Sequence, residues 1–524
     1  MVAVGVAWLI RFGTDDSWIS FNYARSLVRG DGLTWFGEHL EGYTNFLWVL
    51  WVAAGLAFGV DPLAWAWAGS LAALAAALWC TFRIVRLRSG RDVTALTAIA
   101  LLATNFTFLA FGTSGLETML QTALVAALWW QTEAIRRDAR MMTARRLGLL
   151  SVTAALAIMT RLDSAVICAV LGVAIADVLV RRRAGARAWL AVVTPAAVLV
   201  GSWLGWKLSY YGAIVPNTAH AKLDWSSAVV TNGAHYLAHF LHAYLLWPVL
   251  LLAVVLAIAR RSTASALPAA IAIAWSAYVV AVGGDFMEFR FFVPIIPALV
   301  AIMAEVVTTE ATHRSVPGVG LRAAASVALL ASASWHHAAT IEPVQAYDSI
   351  GAMATFYDRI AGNDWSRLGA PLQALAGTGA TLACQSAGAI PYYADLPTID
   401  QLGLNDAWVA RHGDPAAGDV VRPGHQRYAP LSYLVERRVS FVIAASQLVP
   451  HGALPTLTPA WIVSWITDSF ASPVSLTGPI DVVAVPLSHE TDMLLWYLTP
   501  SAAIDARLAE LGWTRRRLLP AEYR

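Results

Sequence analysis

Apolar runs of helical-span length recur from residue 63 to residue 337, and arginine clusters punctuate them. A hydrocarbon core about 30 Å thick takes roughly 20 apolar residues to cross as a helix. Backbone polar groups inside it must be satisfied within the segment, so a chain of this pattern is confined to a bundle of membrane helices. Composition agrees, with 58% hydrophobic and 13% charged residues and a mean hydropathy of +0.58. A soluble globular class is excluded for most of the length.

The arginines set the topology. They cluster at Arg83/Arg86/Arg88/Arg91, Arg136/Arg137/Arg140/Arg145/Arg146, Arg181/Arg182/Arg183/Arg187, Arg260/Arg261 and Arg314/Arg322. Short basic loops stay in the cytoplasm. All five reach that side only if the apolar run Tyr43 to Val60 does not cross, which makes it an interfacial helix on the outer face. The expected spans are then 1–11, 63–83, 93–111, 115–135, 146–161, 163–180, 188–208, 236–259, 265–283, 290–309 and 320–337, about 11 transmembrane helices in all. The first stretch is short for a crossing, which predicts a start further upstream.

An odd number of spans leaves residues 338–524 outside. There the long apolar runs give way to VSFVIAA, IDVVAVPL and DMLLWYL between Gly/Pro turns, the pattern of strands in one small α/β or α+β domain. The predicted organisation is a membrane domain, 1–337, followed by an extracytoplasmic domain, 338–524.

A net charge of +2, with no basic cluster interleaved with aromatics in the tail, excludes nucleic acid as a partner. Cys80, Cys168 and Cys384 have neither metal nor redox spacing. The 23 tryptophans suit interfacial belts first and sugar stacking second.

With this topology the polar clusters collect at the outer ends of the spans: Thr14-Asp15-Asp16, Ser114-Gly115-Leu116-Glu117, Arg161-Leu162-Asp163, Tyr210 to Lys222, and Gly283 to Arg290. Each has a structural alternative. Thr14, Asp15, Asp16 and Ser17 suit helix capping and the macrodipole. Glu117 suits a cap as well, and Arg161 with Asp163 suits an ion pair in a tight hairpin. Pro216-Asn217-Thr218 reads as a turn. What favours function is that these clusters share one face, where charge near lipid is normally paired or employed. A boundary pocket of acids and bases suits a lipid-tailed substrate with an anionic head.

The stretches DDSWISFNYARSLVRGDGLTWFGEHLEGYTNFLW, SGLET, TRLD, YYGAIVPNTAHAK, GGDFMEFRFFVP, AGAIPYYADLPTIDQLGLND and PGH together resemble the GT-C superfamily of integral-membrane glycosyltransferases. The branch using polyprenyl-phosphate sugars is the most similar, and within it the terminal arabinofuranosyltransferases of actinobacterial cell-wall arabinan. The resemblance implies transfer of a single sugar, arabinofuranose from decaprenyl-phosphate arabinose, to a cell-wall glycan acceptor at the outer face of the plasma membrane. It implies Asp15 as the base of an inverting displacement, with Asp16 sharing that role or binding a divalent cation (Mg or Ca). Lys222, Arg161 and Arg290 become candidates for the donor phosphate, and Glu41, Tyr43, Glu117, Asp163, Asn217, His220, Asp285 and His425 for the sugar and acceptor subsites. The outer domain would guide the acceptor.

Alternatives are transfer of another sugar such as mannose, a lipid-linked sugar flippase or transporter, and a ligase acting on diphosphate lipids. A transporter predicts charges at mid-membrane depth, where this sequence has almost none. Among 36 basic residues only Lys207 and Lys222 are lysines. Lys222 is placed at the phosphate and Lys207 is expected to snorkel from the end of a span.

Overall fold

The computed structural model describes residues 1–222, 226–247, 266–309, 319–340, 347–361, 365–416, 421–443 and 448–523. Arg260, Arg261 and Arg314 lie outside the described residues, as does the Lys222 side chain.

The chain opens with α1 (Val2–Leu9), then α2 (Asp15–Arg29), which ends at Gly30 in the left-handed conformation. Helix α3 (Phe46–Ala57) has 12 residues, about 18 Å at the α-helical rise. That is well short of a hydrocarbon core. Helix α4 (Pro62–Ser89) starts where Asp61 accepts from the Ala64 N–H with Pro at the first turn, and stops at left-handed Gly90. There follow α5 (Asp92–Ala103), α6 (Phe106–Ala110), α7 (Thr118–Arg137), α8 (Ala144–Thr160), α9 (Ala165–Arg181), α10 (Ala186–Tyr211), α11 (Asn217–Lys222) and α12 (Ser227–Ala243), then the helices Ala266–Ala281, Ile296–Thr309 and Val319–Thr340.

Among the described residues, four stretches are long and apolar enough to cross a bilayer: Pro62–Ser89, Leu162–Arg181, Ala186–Tyr211 and Arg290–Thr308. With the shorter apolar helices they form a multi-pass membrane protein. The helix Val319–Thr340 runs three residues past the expected domain boundary.

Among the described residues, the basic loops between α4 and α5, α7 and α8, and α9 and α10 lie at one end of the bundle. Arg88, almost fully buried, pairs with Glu133 (2.7 Å) and with Glu305 (2.7 Å), tying together α4, α7 and the helix Ile296–Thr309. Arg182 donates to the carbonyls of Ile135 and Arg136 (3.0 and 2.9 Å). The acidic clusters Asp15–Asp16, Glu117 and Asp163 lie at the opposite end, together with the C-terminal domain.

That domain is built on one sheet of β1 (Leu382–Cys384), β2 (Thr398–Asp400), β5 (Phe441–Ile443), β6 (Leu448–Pro450), β7 (Ile480–Pro486), β8 (Thr491–Tyr497) and β9 (Thr514–Leu518), with β3 (Asp414–Pro415) and β4 (Arg427–Tyr428) as a separate pair. The order is β2-β1-β5-β8-β7-β9, with β6 also on β8. Strands β2, β1 and β5 are parallel and the remaining pairs antiparallel. The three apolar stretches singled out in the sequence supply β5, β7 and β8.

Alternation along the strands sorts the two faces. Ala383, Val442, Val482 and Leu494 pack against Ile462, Trp465 and Ile466 within the domain. Leu382, Cys384, Phe441, Val483 and Leu495 share a core with Trp18, Phe21, Tyr23, Tyr43 and Trp48 of α2, α3 and the segment between them. The C-terminal domain therefore has one core of its own and a second that it shares with the membrane domain.

The arginine loops give an orientation to test in intact cells with an impermeant thiol reagent, after Cys80, Cys168 and Cys384 are replaced by Ser. Cysteine at the exposed His489 should label from outside, and cysteine at the exposed Gly185 should label only after the membrane is opened. The reverse pattern would invert the protein.

Candidate functional site

Thr14 seats the start of α2. Its N–H donates to the Ser114 carbonyl (3.2 Å), and the Trp48 indole N–H donates to Gly115 O (3.0 Å). The acidic end of α2 is thereby fixed beside the turn that precedes Glu117.

Glu117 does not cap α7; the helix start has no side-chain cap. Its buried carboxylate instead accepts from Arg161 Nη1 (2.7 Å) and Asn45 Nδ2 (2.7 Å), and Ser20 Oγ donates to Asn45 Oδ1 (3.0 Å). Arg161 holds Asp163 through Nε and Nη2 (3.0 and 2.6 Å). Asp163 also accepts from Gln121 (2.9 Å) and Tyr278 (3.3 Å). The hairpin ion pair expected from sequence is thus one link in a chain from α2 to the helix Ala266–Ala281.

Beside it, Arg290 binds Asp285 through Nε (2.5 Å) and Nη2 (2.9 Å), and both residues are buried. The guanidinium groups of Arg161 and Arg290 approach the same ring, Phe291, at 5.2 and 5.4 Å. The charges of Glu117 and Asp16 both act on Arg290. Among the described residues no hydrogen bond takes Arg290 Nη1. Asp15, Asp16, Glu117, Arg161, Asp163, Asp285 and Arg290 thus converge on one region.

Asp15 is held from across the domain boundary. Its Oδ2 accepts from the Gly388 N–H (3.1 Å) and its Oδ1 from the Ala389 N–H (2.8 Å). So the carboxylate that could have served the macrodipole of its own helix binds another element instead. Loss of solvent pushes its pKa up to about 7 against the lowering effect of those amides, with Asp16 and Asp400 adding repulsion. Gly388 is required by approach: a Cβ there would sit 1.9 Å from Asp15 O.

Other expected subsite residues fasten the segment between α2 and α3. Glu41 pairs with Lys207 (2.7 Å), and Lys207 is completely buried rather than snorkelling. A cation at the end of a span stays inside the protein here because a carboxylate has been brought to it. Tyr43 shares a hydrogen bond with Tyr211 (3.1 Å), whose hydroxyl is 2.9 Å from the Leu33 carbonyl. Asn217 starts α11 and donates to the carbonyls of Gly403 (2.8 Å) and Leu404 (3.0 Å), clamping the C-terminal domain. His220 is exposed. His425 packs edge-on against Phe286 at 5.1 Å, near the Arg422–Asp348 pair.

The sequence reading missed Asn45, Gln121, Tyr278, Lys207 and the Gly388–Ala389 amides. Only Gln121 had a usable signal, four residues after Glu117 on the same helix face. Among the described residues, no three His, Cys, Asp or Glu side chains gather to ligate a metal ion. A Mg ion held by one or two carboxylates and a substrate phosphate is the form the Asp16 expectation can still take.

A domain of unknown function (DUF8728) matches residues 354–480. A terminal beta-(1->2)-arabinofuranosyltransferase of Mycobacterium tuberculosis is 30% identical over 269 residues, 47% of this chain and 40% of that protein. The match therefore spans less than half of that relative's length. Among solved structures, ArnT from Cupriavidus metallidurans bound to undecaprenyl phosphate superposes with a TM-score of 0.57 at 13% identity, covering 95% of this chain and 97% of that one. Its apo form gives 0.56 at 12% identity, with 95% and 98% covered. The chain has the GT-C fold.

In this GT-C chain Lys207→Met should leave Glu41 buried without a partner and cost about 3–5 kcal/mol. Thermal melting in detergent checks this, and adding Glu41→Gln should recover part of the loss. An unchanged melting temperature for Lys207→Met would show the pair to be dispensable.

Proposed function

We propose that this protein transfers a single sugar from a polyprenyl-phosphate donor to a glycan acceptor at the outer face of the membrane, by one inverting displacement. The observation carrying this reading is the convergence of Asp15 and Asp16 with the Glu117–Arg161–Asp163 and Asp285–Arg290 sets at one end of a GT-C bundle, beneath the C-terminal domain. Arabinofuranose is the sugar favoured by the curated relative, and mannose is the alternative.

The chemistry follows from charge. The acceptor oxygen attacks the anomeric carbon and its proton passes to Asp15, while the bond to the phosphate oxygen breaks and polyprenyl phosphate keeps the electron pair. A phosphate with a second pKa near 6 leaves without a general acid. Asp15 suits the base role because its pKa near 7 matches neutral operating conditions. The amides on its two oxygens leave each with a further lone pair.

Phosphate recognition is tighter. Arg161 is largely committed to Glu117 and Asp163, so it acts mainly by ordering them. Arg290 still offers Nη1 for a charge-assisted bond. Lys222 is proposed as the second cation, a compact ammonium that arginine would replace poorly. The other acids, with Glu41, Tyr43, Asn217, His220 and His425, would shape or support the sugar and acceptor subsites.

Purified protein should be offered a panel of radiolabelled polyprenyl-phosphate sugars with arabinan acceptors. One donor should be consumed, and Asp15→Asn should reduce transfer on the order of a hundred- to ten-thousand-fold while donor binding persists. Full activity in both Asp15→Asn and Asp16→Asn would refute a carboxylate-dependent transferase.

Since Asp15 must be ionised to accept a proton, kcat/KM should rise with pH through about 7. A profile flat from pH 5.5 to 8 would contradict that role.

A further inference from the structure

Polar contacts between the outer loop and the C-terminal domain are dense, and they converge on the segment that follows β1. Arg25 donates to the Tyr392 carbonyl and pairs with Asp395 (3.2 Å), which Arg29 also holds (2.9 Å). Trp35 donates to Thr398 O (2.8 Å), Tyr23 donates to Asn405 Oδ1 (3.2 Å), and Arg437 pairs with Glu38 (3.0 Å). Trp18 packs against both Tyr392 and Tyr393, at 4.9 and 4.7 Å. The contacts of Arg25, Arg29 and Trp18 fix the short helix Ala389–Ala394 and Asp395 against α2, and those of Trp35, Tyr23 and Glu38 hold the strand after it and its neighbours in place. The segment cannot slide without breaking several of them.

What this seat delivers to the acidic end of α2 is the pair of N–H groups at residues 388 and 389, one to each oxygen of Asp15. Two donors from one rigid turn define both the plane of the carboxylate and its distance from the reacting centre. Neither glycine nor alanine contributes a functional side chain, so the device is invisible to a search for chemistry-bearing residues. Resting on the proposed function, we infer that Gly388 and Ala389 of the C-terminal domain are positioning residues for the base: their backbone amides orient Asp15, so that transfer depends on this domain being seated.

The same contacts bear on ionisation. The groups that face Asp15 are Asp16 on its own helix, Asp400 at the end of β2, and Cys384 at the end of β1. Both aspartates oppose its negative charge. The Ala389 N–H is the strongest influence in the other direction, followed after Asp16 by the Gly388 N–H. Removing an amide donor thus raises the Asp15 pKa, and an enzyme that needs the carboxylate ionised loses rate below the new value.

The test is the pH profile of arabinofuranose transfer from decaprenyl-phosphate arabinofuranose by the full-length chain. Ala389→Pro deletes the N–H at the first helical position, which tolerates proline. Ala389→Gly keeps the N–H and is the control. Gly388→Ala forces the turn away from Asp15 and gives a second, independent reading if the proline variant does not fold. Ala389→Pro and Gly388→Ala should both move the acid limb to higher pH, each unit meaning about a tenfold lower rate on the acid side. Ala389→Gly should leave the limb in place.

A uniform loss at all pH values, or an unmoved profile in a folded Ala389→Pro or Gly388→Ala protein, would overturn the inference. Asp15→Asn separates the two levels. If it is inactive while those profiles do not move, Asp15 stands as the base and the positioning role falls. If it is fully active, the proposed mechanism itself fails.

Discussion

A charge inside this bundle persists only where an opposite charge or a set of donors has been carried to it, and that constraint organises the protein. Isolated burial of a carboxylate or guanidinium costs several kcal/mol. The structure answers with Arg88 between Glu133 and Glu305 at one end, Lys207 against Glu41, and Arg161 between Glu117 and Asp163 at the other. Apart from Arg161–Asp163, which closes a hairpin, each pair joins elements far apart in sequence. Helix packing in an apolar bundle offers little choice of register by itself, because one apolar side chain substitutes readily for another. A buried ion pair does not slide in that way.

The C-terminal domain follows the same logic at its interface. It shares a hydrophobic core with α2, α3 and the segment between them, and apolar contact alone would let two such surfaces settle in several ways. Asn217 on the carbonyls of Gly403 and Leu404, and Arg25 and Arg29 on Asp395, select one. Gly42 shows how close the fit is, since a Cβ there would meet Asn405 Oδ1 at 1.8 Å. On the proposed reading, a domain held in this way forms a wall of the site and not a tethered recognition module.

This explains which parts were readable from sequence. Apolar run length and arginine placement follow from transfer energies that act residue by residue, so α4 and α7 to α10 could be read directly, whereas the single span expected at 93–111 is broken into α5 and α6. Equally readable were β5, β7 and β8, whose apolar, aromatic or β-branched content is local. The acidic and basic clusters could be found because charge near lipid is rare. Pairing could not, because it depends on the three-dimensional route of the chain. Lys207 read as a snorkelling residue since nothing near it in sequence is acidic; its partner is Glu41, 166 positions away. Backbone amides were harder still: Gly388 and Ala389 act through atoms that every residue but proline possesses.

The charge count at the proposed site raises a physical problem that the Asp15 geometry answers. Among the described side chains, five carboxylates, Asp15, Asp16, Glu117, Asp163 and Asp285, stand with two guanidinium groups, Arg161 and Arg290, and even with the proposed Lys222 ammonium the anionic donor meets a region with little positive charge to spare. On the proposed reading, the reaction makes this worse at one atom and better at another. As the leaving phosphate gains negative charge, the acceptor's proton neutralises Asp15, and the total charge of the region does not change. In a medium of low effective dielectric, keeping that sum constant avoids a Coulomb cost of several kcal/mol over distances of a few ångströms. A base too acidic would resist taking the proton, and one too basic would already hold it. A carboxylate raised to about 7 by burial and restrained there by two amides lies between those limits.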